Sequence, residues 1–364
     1  MKSCIITFQS ANNYGAVLQA YALQEYLNRN FGETKILDYH NRNIDKSYAR
    51  PGIKDLFHNP KRTVFRFSQS VLYKGKSKRI EQFRADCFKL TKRYDADNIK
   101  EANSEADVFI TGSDQVWNHL IIGDDTNYFL DFTAPDKKTC SFAASIGVKR
   151  IPEEYAALYK KAITHIGRIS VRESSGIKAL EEIGVNGAEL NPDPTVLCSE
   201  KKKKKLSVVP KLNKKYILVY KITKADKLLS FAKNLSKLTG YPIIYIPNDL
   251  KSGVVGSLKL GVGPREWLGY IQNAEYVVTN SFHGTMFSIL FGTKFFSEVS
   301  GKVNPSTSRL LTLLHMFGLE ERILDRFDKN LLEKELPREQ IRSICAEQQE
   351  KVHQFFEKVY YGEE

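Results

Sequence analysis

The sequence has no long hydrophobic run and no phosphate-binding glycine motif. Its longest apolar stretches, at residues 216–220 and 241–246, fall far short of the roughly 20 residues that span a bilayer, so we predict no transmembrane helix. The N-terminus reaches polar residues by Gln9, too early for the apolar region of a signal peptide, which favours a cytoplasmic protein. Neither GxGxxG nor GxxxxGK(S/T) occurs, so no motif supports a nicotinamide or ATP site.

Cysteines are few and scattered. There are 5, an odd number without a Cys-x-x-Cys pair, which argues against a zinc ribbon and against a disulfide framework. The histidines other than His283 show no spacing typical of metal ligands. We therefore expect no bound metal and no cofactor.

Positive charge is in excess. The 55 Lys and Arg residues against 42 Asp and Glu residues give a net charge of +13, which favours anionic partners. No segment matches a nucleic-acid-binding module, so we expect no nucleic-acid partner. Residues 54–84 hold nine Lys or Arg residues and two acidic ones among apolar side chains. This segment is either an insertion packed on its domain or a surface that binds anions or an anionic membrane.

Short apolar runs alternate with helical patterns along most of the chain, which is typical of βαβ units and parallel sheets. We predict an α/β protein made of two Rossmann-like, doubly wound domains. The first covers residues 1–198 and includes the basic insertion, and the second covers residues 216–327. The lysine-rich residues 199–215 form a solvated linker, and residues 328–364 form an amphipathic helical segment that packs back across both domains.

Two polar loops follow predicted strands of the first domain, at the sheet edge where ligands bind in open parallel sheets. The loop QSANNYG at residues 9–15 precedes a helix, and TGSDQVWN at residues 111–118 offers a carboxylate, two amides and an indole ring. Asp114 could accept a hydroxyl proton and Trp117 could stack on a sugar ring. The alternatives are a plain turn for the first loop and, for the second, Asp114 as a helix N-cap with Trp117 in the core. The candidate acceptor-binding residues are Asn12, Asn13, Tyr14, Gly15, Gln115, Trp117 and Asn118.

A third loop, TNSFHGT at residues 279–285, lies between a strand and an apolar helix in the second domain. Hydroxyls, backbone amides and His283 converge there at a helix N-terminus, which attracts anions. Arg172 ends a predicted strand of the first domain, where its guanidinium could bind a carboxylate or a phosphate. The alternatives are a structural histidine and an ion pair of Arg172 with Glu173.

Seven motifs, in this order, resemble the polysaccharide pyruvyl transferase family: NNYGAVLQAYALQEYL, GSDQVWN, SFAASIG, SVRES, DPTVL, NAEYVVTNSFHGTMFSILFG and TSRLLTLLHMFGLEERI. The resemblance implies two domains arranged as in GT-B enzymes around a cleft. It also implies transfer of pyruvate from phosphoenolpyruvate to a sugar as a ketal, in a cell-surface glycan pathway. The acceptor would be a glycan, in some pathways carried on a polyprenyl diphosphate at the inner face of the cytoplasmic membrane, where this chain would dock.

The resemblance also implies roles for single residues. Arg172 and His283 match family residues associated with phosphoenolpyruvate, with Asp114 as a third catalytic candidate. Some members have an arginine where this chain has Ser281, so that donor contact is either absent or supplied by another residue such as Arg265 or Arg309. The candidate donor-binding residues are Ser281, Gly284, Thr285, Arg265 and Arg309. A GT-B glycosyltransferase that uses a nucleotide sugar and a non-catalytic module that binds glycans or phospholipids are the alternative functions.

Overall fold

A computed structural model describes residues 1–41, 74–212, 214–248, 255–299 and 305–362. Most of the predicted basic insertion, residues 54–73, lies outside the described residues, and so does its proposed contact with membranes. The part from Lys74 onward begins a helix. In that helix Lys74 and Lys78 are exposed, whereas Lys76 is buried.

The first sheet has five parallel strands in the order β3-β2-β1-β4-β5. Its central strands β1 and β4 are fully buried, which explains their continuous apolar sequences. The strands are β1 (Ser3–Ile6), β2 (Thr34–Tyr39), β3 (Leu90–Tyr94), β4 (Val108–Thr111) and β5 (Lys138–Ser141). The helices around this sheet are α1 (Tyr14–Asn30), α2 (Lys74–Cys87), α3 (His119–Ile122) and α4 (Glu153–Ile163).

A short parallel pair extends this first layer. Strands β6 (Ser170–Val171) and β7 (Glu189–Leu190) pair with each other, and helix α5 (Ser174–Glu182) connects them. Single bridges join Arg168 to Cys140 and Val171 to Ala144, so β6 continues the sheet beyond β5. Arg172 therefore lies at the end of a strand beside the carboxyl end of the first sheet.

The second sheet repeats the same topology. Its five parallel strands have the order β10-β9-β8-β11-β12. They are β8 (Ile217–Lys221), β9 (Ile243–Pro247), β10 (Ser257–Leu258), β11 (Tyr276–Thr279) and β12 (Phe295–Ser297). The helices are α7 (Asp226–Thr239), α8 (Pro264–Gln272), α9 (Phe282–Phe291) and α10 (Pro305–Phe317). The predicted α/β class with two Rossmann-like domains is confirmed.

Two helices connect the domains. The lysine run forms helix α6 (Glu200–Leu206), capped by Ser199, and Lys203 is buried with its Nζ atom 3.5 Å from the Leu290 carbonyl oxygen. The run is therefore not the fully solvated linker expected from its charge. Helix α11 (Arg338–Tyr361) starts beside Gly292 of the second domain, and its Tyr360 hydroxyl donates to Ser3 in the first sheet.

The N-terminus of α1 packs against the second domain. The Tyr14 ring stacks on Trp267 at 5.2 Å between ring centres, and its hydroxyl donates to the Val262 carbonyl oxygen at 2.8 Å. Elsewhere in the interface, Ser308 of α10 donates to Ser175 of α5 at 2.9 Å. These contacts bring the carboxyl ends of both sheets together.

Candidate functional site

The three predicted loops follow β1, β4 and β11, which are central strands next to the point in each sheet where the strand order changes direction. Residues 9–15 follow β1, residues 112–118 follow its neighbour β4, and His283 follows β11 beside β8. Ligands of open parallel sheets bind at such points because the neighbouring connections run in opposite directions and leave a crevice. Both crevices face the interface between the domains.

A buried carboxylate, Asp193, lies at the centre of the site. Its Oδ2 atom accepts from Arg172 Nη1 at 2.7 Å and lies 3.4 Å from His283 Nε2. Its Oδ1 atom accepts the amide and the hydroxyl of Thr195, at 3.0 and 2.7 Å. Burial alone would raise the pKa of Asp193, but His283, Arg172 and these donors hold it below its usual range. Asp193 thus stays ionised and joins the two domains.

Arg172 has two hydrogen-bond donor atoms that no described residue satisfies. Its side chain is 1% exposed and lies over the Phe282 ring at 4.7 Å, yet its Nε and Nη2 atoms have no hydrogen-bond partner among the described residues. Burial would lower the pKa of Arg172, but Asp193, Asp114 and Glu173 keep it above the ordinary value. Buried polar groups are nearly always satisfied, so these two atoms are suited to a ligand or a water molecule.

A second buried guanidinium lies nearby. Arg309, on α10 of the second domain, has its pKa lowered by burial and then by the positive charge of Arg172. Glu173, Asp114 and Asp193 act on Arg309 in the opposite direction, so Arg309 belongs to the same charged cluster as Arg172. Of the two arginines predicted to replace the family contact at Ser281, Arg309 is the one that the structure places in this cluster.

Arg265 does not join the cluster. Its guanidinium lies 3.5 Å from Asp86 and 3.4 Å from Cys87 Sγ on helix α2, and it faces the Phe83 ring. The donor contact predicted for Arg265 is therefore wrong in this arrangement of the domains.

His283 lies in the first turn of α9 rather than in a loop, because the Ser281 side chain caps that helix. Its Nε2 atom is buried without a formed hydrogen bond among the described residues, and faces Asp193. The ring face next to Nδ1 packs against Gly15, where a Cβ atom would overlap the ring. The glycine predicted at the start of α1 is thus required by the close approach of the histidine.

Two further carboxylates surround Arg172. Asp114 Oδ1 lies 3.7 Å from Nη2, and Glu173 Oε2 lies 4.0 Å from Nε. Glu173 accepts from Ser145 at 2.8 Å through its other oxygen. Asp114 adopts a left-handed backbone with φ of 78°, and Ala143 one of 51°. Such non-glycine conformations cost about 1–3 kcal/mol each and concentrate at functional sites.

The hydroxyl and amide cradle predicted at residues 281–285 is largely occupied by its own turn. Ser281 accepts from the Gly284 amide at 3.1 Å, and the Thr285 amide donates to the Ser281 carbonyl oxygen. The Thr285 hydroxyl pairs with Ser297 at 2.7 Å. The donor-binding role predicted for Ser281, Gly284 and Thr285 is therefore corrected to one of shaping the turn that presents His283.

The sugar platform predicted at Trp117 is wrong. The indole is fully buried, stacks on Phe129 at 5.2 Å and donates to the Tyr128 carbonyl oxygen at 3.0 Å. Asn118 caps α3, and its amide nitrogen donates to the Gln115 side-chain oxygen at 2.9 Å. Trp117 therefore lies in the core, as the alternative expected, but the helix cap is Asn118 rather than Asp114.

The first loop also differs from the prediction. Asn13 caps α1 by accepting the Gly15 amide at 2.8 Å, and Tyr14 is 1% exposed in the interface, so an acceptor contact by either side chain is wrong here. Asn12 donates to Ser77 at 2.8 Å, while its Oδ1 atom is buried without a hydrogen bond in the described part of the chain. Asn12 therefore has a carbonyl oxygen that could still accept a hydrogen bond from a ligand.

Sequence reasoning assigned no site role to Asp193 or Ser113, and it named Glu173 only as the alternative ion-pair partner of Arg172. Asp193 lies within the family motif DPTVL, but nothing in that motif indicated its contacts with Arg172 and His283. Ser113 donates to Asp193 at 3.5 Å and had no separate signal within its polar loop.

Other possible sites lie elsewhere or are absent from the described residues. A cavity of about 280 Å³ between α6 and α11 shares no residue with this cluster. No group of three or more potential metal ligands occurs in the parts of the chain that are described. Nor does any described helix have the length and apolar character needed to cross a membrane.

Solved structures share this fold at low sequence identity. A candidate UDP-N-acetylglucosamine 2-epimerase from Listeria monocytogenes aligns with a TM-score of 0.51 and 9% identity over 100% of this chain and 97% of its own. The UDP-GlcNAc 2-epimerase from Neisseria meningitidis, bound to UDP-GlcNAc, has a TM-score of 0.45 and 8% identity over 96% and 100%. The glycosyltransferase SsfS6 from Streptomyces sp. SF2575, complexed with thymidine diphosphate, has a TM-score of 0.43 and 13% identity over 98% and 99%. The alignment with the Listeria protein, whose TM-score is 0.51, indicates that the two chains share this GT-B-like pair of domains.

Sequence comparison is more specific. No curated protein matches the chain significantly. The profile of the polysaccharide pyruvyl transferase family matches residues 13–297, a range that runs from the cap of α1 through Arg172, Asp193 and His283 to the end of β12. Because the match covers most of the sequence and every element that builds the cluster except α10, the chain belongs to the polysaccharide pyruvyl transferase family.

Proposed function

We propose that this protein transfers the pyruvyl group of phosphoenolpyruvate to two hydroxyls of a sugar in a cell-surface glycan, forming a pyruvate ketal. The observation that carries the proposal is the buried Arg172, whose Nε and Nη2 atoms form no hydrogen bond with the described residues, in one cluster with Arg309 and His283. Phosphoenolpyruvate has a carboxylate and a phosphate on one small molecule. Two guanidinium groups from different domains suit those two anionic groups.

The reaction needs an acid before it needs a nucleophile. A proton added to the methylene carbon leaves the neighbouring carbon electron-poor, and one sugar hydroxyl attacks that carbon and loses its proton. Phosphate then leaves with the electrons of its carbon–oxygen bond, and the second hydroxyl attacks and loses its proton. His283 supplies the first proton, and Arg172 and Arg309 stabilise the charge on the departing phosphate.

The carboxylates serve the acceptor side. Asp114 is the most accessible of the three, with a side chain 13% exposed, and it lies beside Arg172. It is the group that we assign to accept a hydroxyl proton from the sugar. The acceptor is a glycan or a repeat unit on a polyprenyl diphosphate, which the protein meets at the inner face of the cytoplasmic membrane.

The test combines donor and acceptor. Purified protein is incubated with phosphoenolpyruvate and extracted lipid-linked glycans, phosphate release is measured, and products are analysed by mass for a pyruvate ketal. Ketal formation that depends on phosphoenolpyruvate is expected. Nucleotide release from a nucleotide sugar in a parallel reaction, without any ketal, would contradict the proposal.

A matched pair of histidine variants tests the acid. His283→Ala should lower the transfer rate by about two orders of magnitude or more, the scale of general acid catalysis. His165→Ala, at an exposed histidine outside the cluster, is the control and should leave the rate unchanged. A His283→Ala protein with normal turnover would remove the histidine from the mechanism.

A further inference from the structure

Asp193 is held more rigidly than an ion pair requires. Thr195 donates both its amide and its hydroxyl to Oδ1, which fixes the carboxylate plane and points Oδ2 at Arg172 Nη1 and His283 Nε2. The side chain has no exposed surface. One oxygen atom of the first domain therefore faces both the arginine and the histidine.

The two nitrogens of His283 have different surroundings. Nε2 is fully buried and faces Asp193 Oδ2 at 3.4 Å, so no substrate can reach it while the domains are arranged this way. Gly15, at the start of α1, packs on the ring face next to Nδ1, because a Cβ atom there would overlap Nδ1, Cγ and Cε1. The His283 side chain is 11% exposed, and Nε2 is not part of that exposed surface.

We propose that Asp193 is a positioning residue that holds His283 through Nε2, and that Nδ1 is the nitrogen that gives the proton to the donor. The inference rests on the proposed transfer from phosphoenolpyruvate. A carboxylate facing one ring nitrogen selects the tautomer with its proton there, which leaves the other nitrogen for proton transfer. The 3.4 Å separation shortens to a hydrogen bond in the donor complex, as catalytic contacts commonly do.

The proton balance is simple. The Nδ1–H bond of the imidazolium breaks as the π electrons of phosphoenolpyruvate form the new C–H bond at the methylene carbon. The ring is left neutral, with its remaining proton on Nε2 facing Asp193. A proton released when a sugar hydroxyl attacks can return to Nδ1 and restore the acid.

Ring nitrogen NMR tests the tautomer without any activity. Protein labelled with ¹⁵N-histidine is studied at a pH where the ring is neutral, and the His283→Gln variant assigns the His283 signals. The expected spectrum of the native protein shows His283 protonated on Nε2. A neutral ring protonated on Nδ1 would overturn the proposal, and this measurement needs no variant of Asp193.

Kinetics test the positioning. Asp193→Asn should lower kcat about 100-fold, on the scale of losing a general acid, and should shift the His283 ring toward a mixture of tautomers. The control is Asp328→Asn, because Asp328 caps a 3-10 turn through the amide two residues on, as Asp193 does. An Asp193→Asn protein that keeps both the Nε2 tautomer and its kcat would refute the proposal.

The two readouts separate this inference from the function on which it rests. If native protein transfers no pyruvyl group, the proposed function fails, while the NMR result still decides whether Asp193 orients His283. If transfer occurs and His283 is protonated on Nδ1, the function stands and the positioning role is wrong.

Discussion

Replacing Arg172 by lysine separates the charge of the guanidinium from its shape. In the native protein, Arg172 Nη1 donates to Asp193 at 2.7 Å. Lysine keeps a positive charge near Asp193, but the ammonium group of lysine cannot reproduce the planar guanidinium fork. The Nε and Nη2 donors, unpartnered among the described residues, are lost. A hydrogen bond to a charged group contributes about 1.5–3 kcal/mol. Losing at least one should weaken phosphoenolpyruvate binding roughly 10- to 150-fold, at 1.4 kcal/mol per factor of ten.

The fold should tolerate this change better than loss of the charge. In Arg172→Met, the buried Asp193 loses its ion-pair partner, and breaking a buried pair costs about 3–5 kcal/mol of stability. Arg172→Lys avoids most of that cost. Chemical unfolding of the three proteins should therefore rank the native protein and Arg172→Lys close together, and Arg172→Met well below them.

Calorimetric titration with phosphoenolpyruvate, without acceptor, measures the donor affinity directly. The control is Arg168→Lys, at the nearby arginine that pairs with Glu189 at 2.6 Å on a partly exposed surface. That variant should bind the donor as the native protein does. If Arg172→Lys binds phosphoenolpyruvate within twofold of the native protein, Arg172 is a structural ion-pair residue and the donor assignment is refuted.

Four further outcomes are expected. Gly15→Ala should reduce transfer at least tenfold with little loss of stability, because the new methyl group displaces the His283 ring, and a normal rate would show that the ring position is unimportant. Trp117→Phe should lower the free energy of unfolding by about 1–2 kcal/mol and leave donor affinity unchanged, because it removes a buried hydrogen bond and no ligand contact. A loss of transfer without a loss of stability would instead support a sugar contact at Trp117. The stability lost in Asp193→Asn should shrink as pH falls from about 4, the ordinary carboxyl pKa, toward the lowered pKa of Asp193, where the native carboxylate takes up a proton. A loss that stays constant below about pH 4 would contradict this. The native protein should sediment with anionic vesicles in a salt-sensitive way, with about 1 kcal/mol of attraction per basic residue. A variant with Lys61, Arg62, Arg66, Lys74 and Lys78 neutralised should lose this binding. Equal sedimentation of the native protein and the variant would exclude the basic segment as a membrane-binding surface. Buried Lys76 is left unchanged in that variant.

Local patterns in the sequence determined the architecture. Continuous apolar runs predict the buried central strands β1, β4, β8 and β11, because a strand covered on both faces has no polar side. Strand β3 gave no such signal because it is half-polar and partly exposed at the edge of its sheet. Strand β12 is buried but has only three residues, too few for a recognisable run. The loops after β1, β4 and β11 were predictable for the same reason, as they follow the recognisable strands.

Docking of the domains decided which side chains meet. Arg172 and His283 could be named as candidates from their positions after strands, but their common partner Asp193 lies 21 residues beyond Arg172 and 90 before His283 in the chain. Helical and strand repeats in a sequence relate residues only a few positions apart, so they could not predict these contacts. Likewise only the packed structure distinguishes Arg309, which joins the cluster, from Arg265, which lies on α8 and contacts α2 instead. Packing also buries Trp117 while it leaves Asp114 partly exposed. Burial and contacts between domains are properties of the assembled surfaces, and a one-dimensional pattern of apolar and polar residues does not encode them.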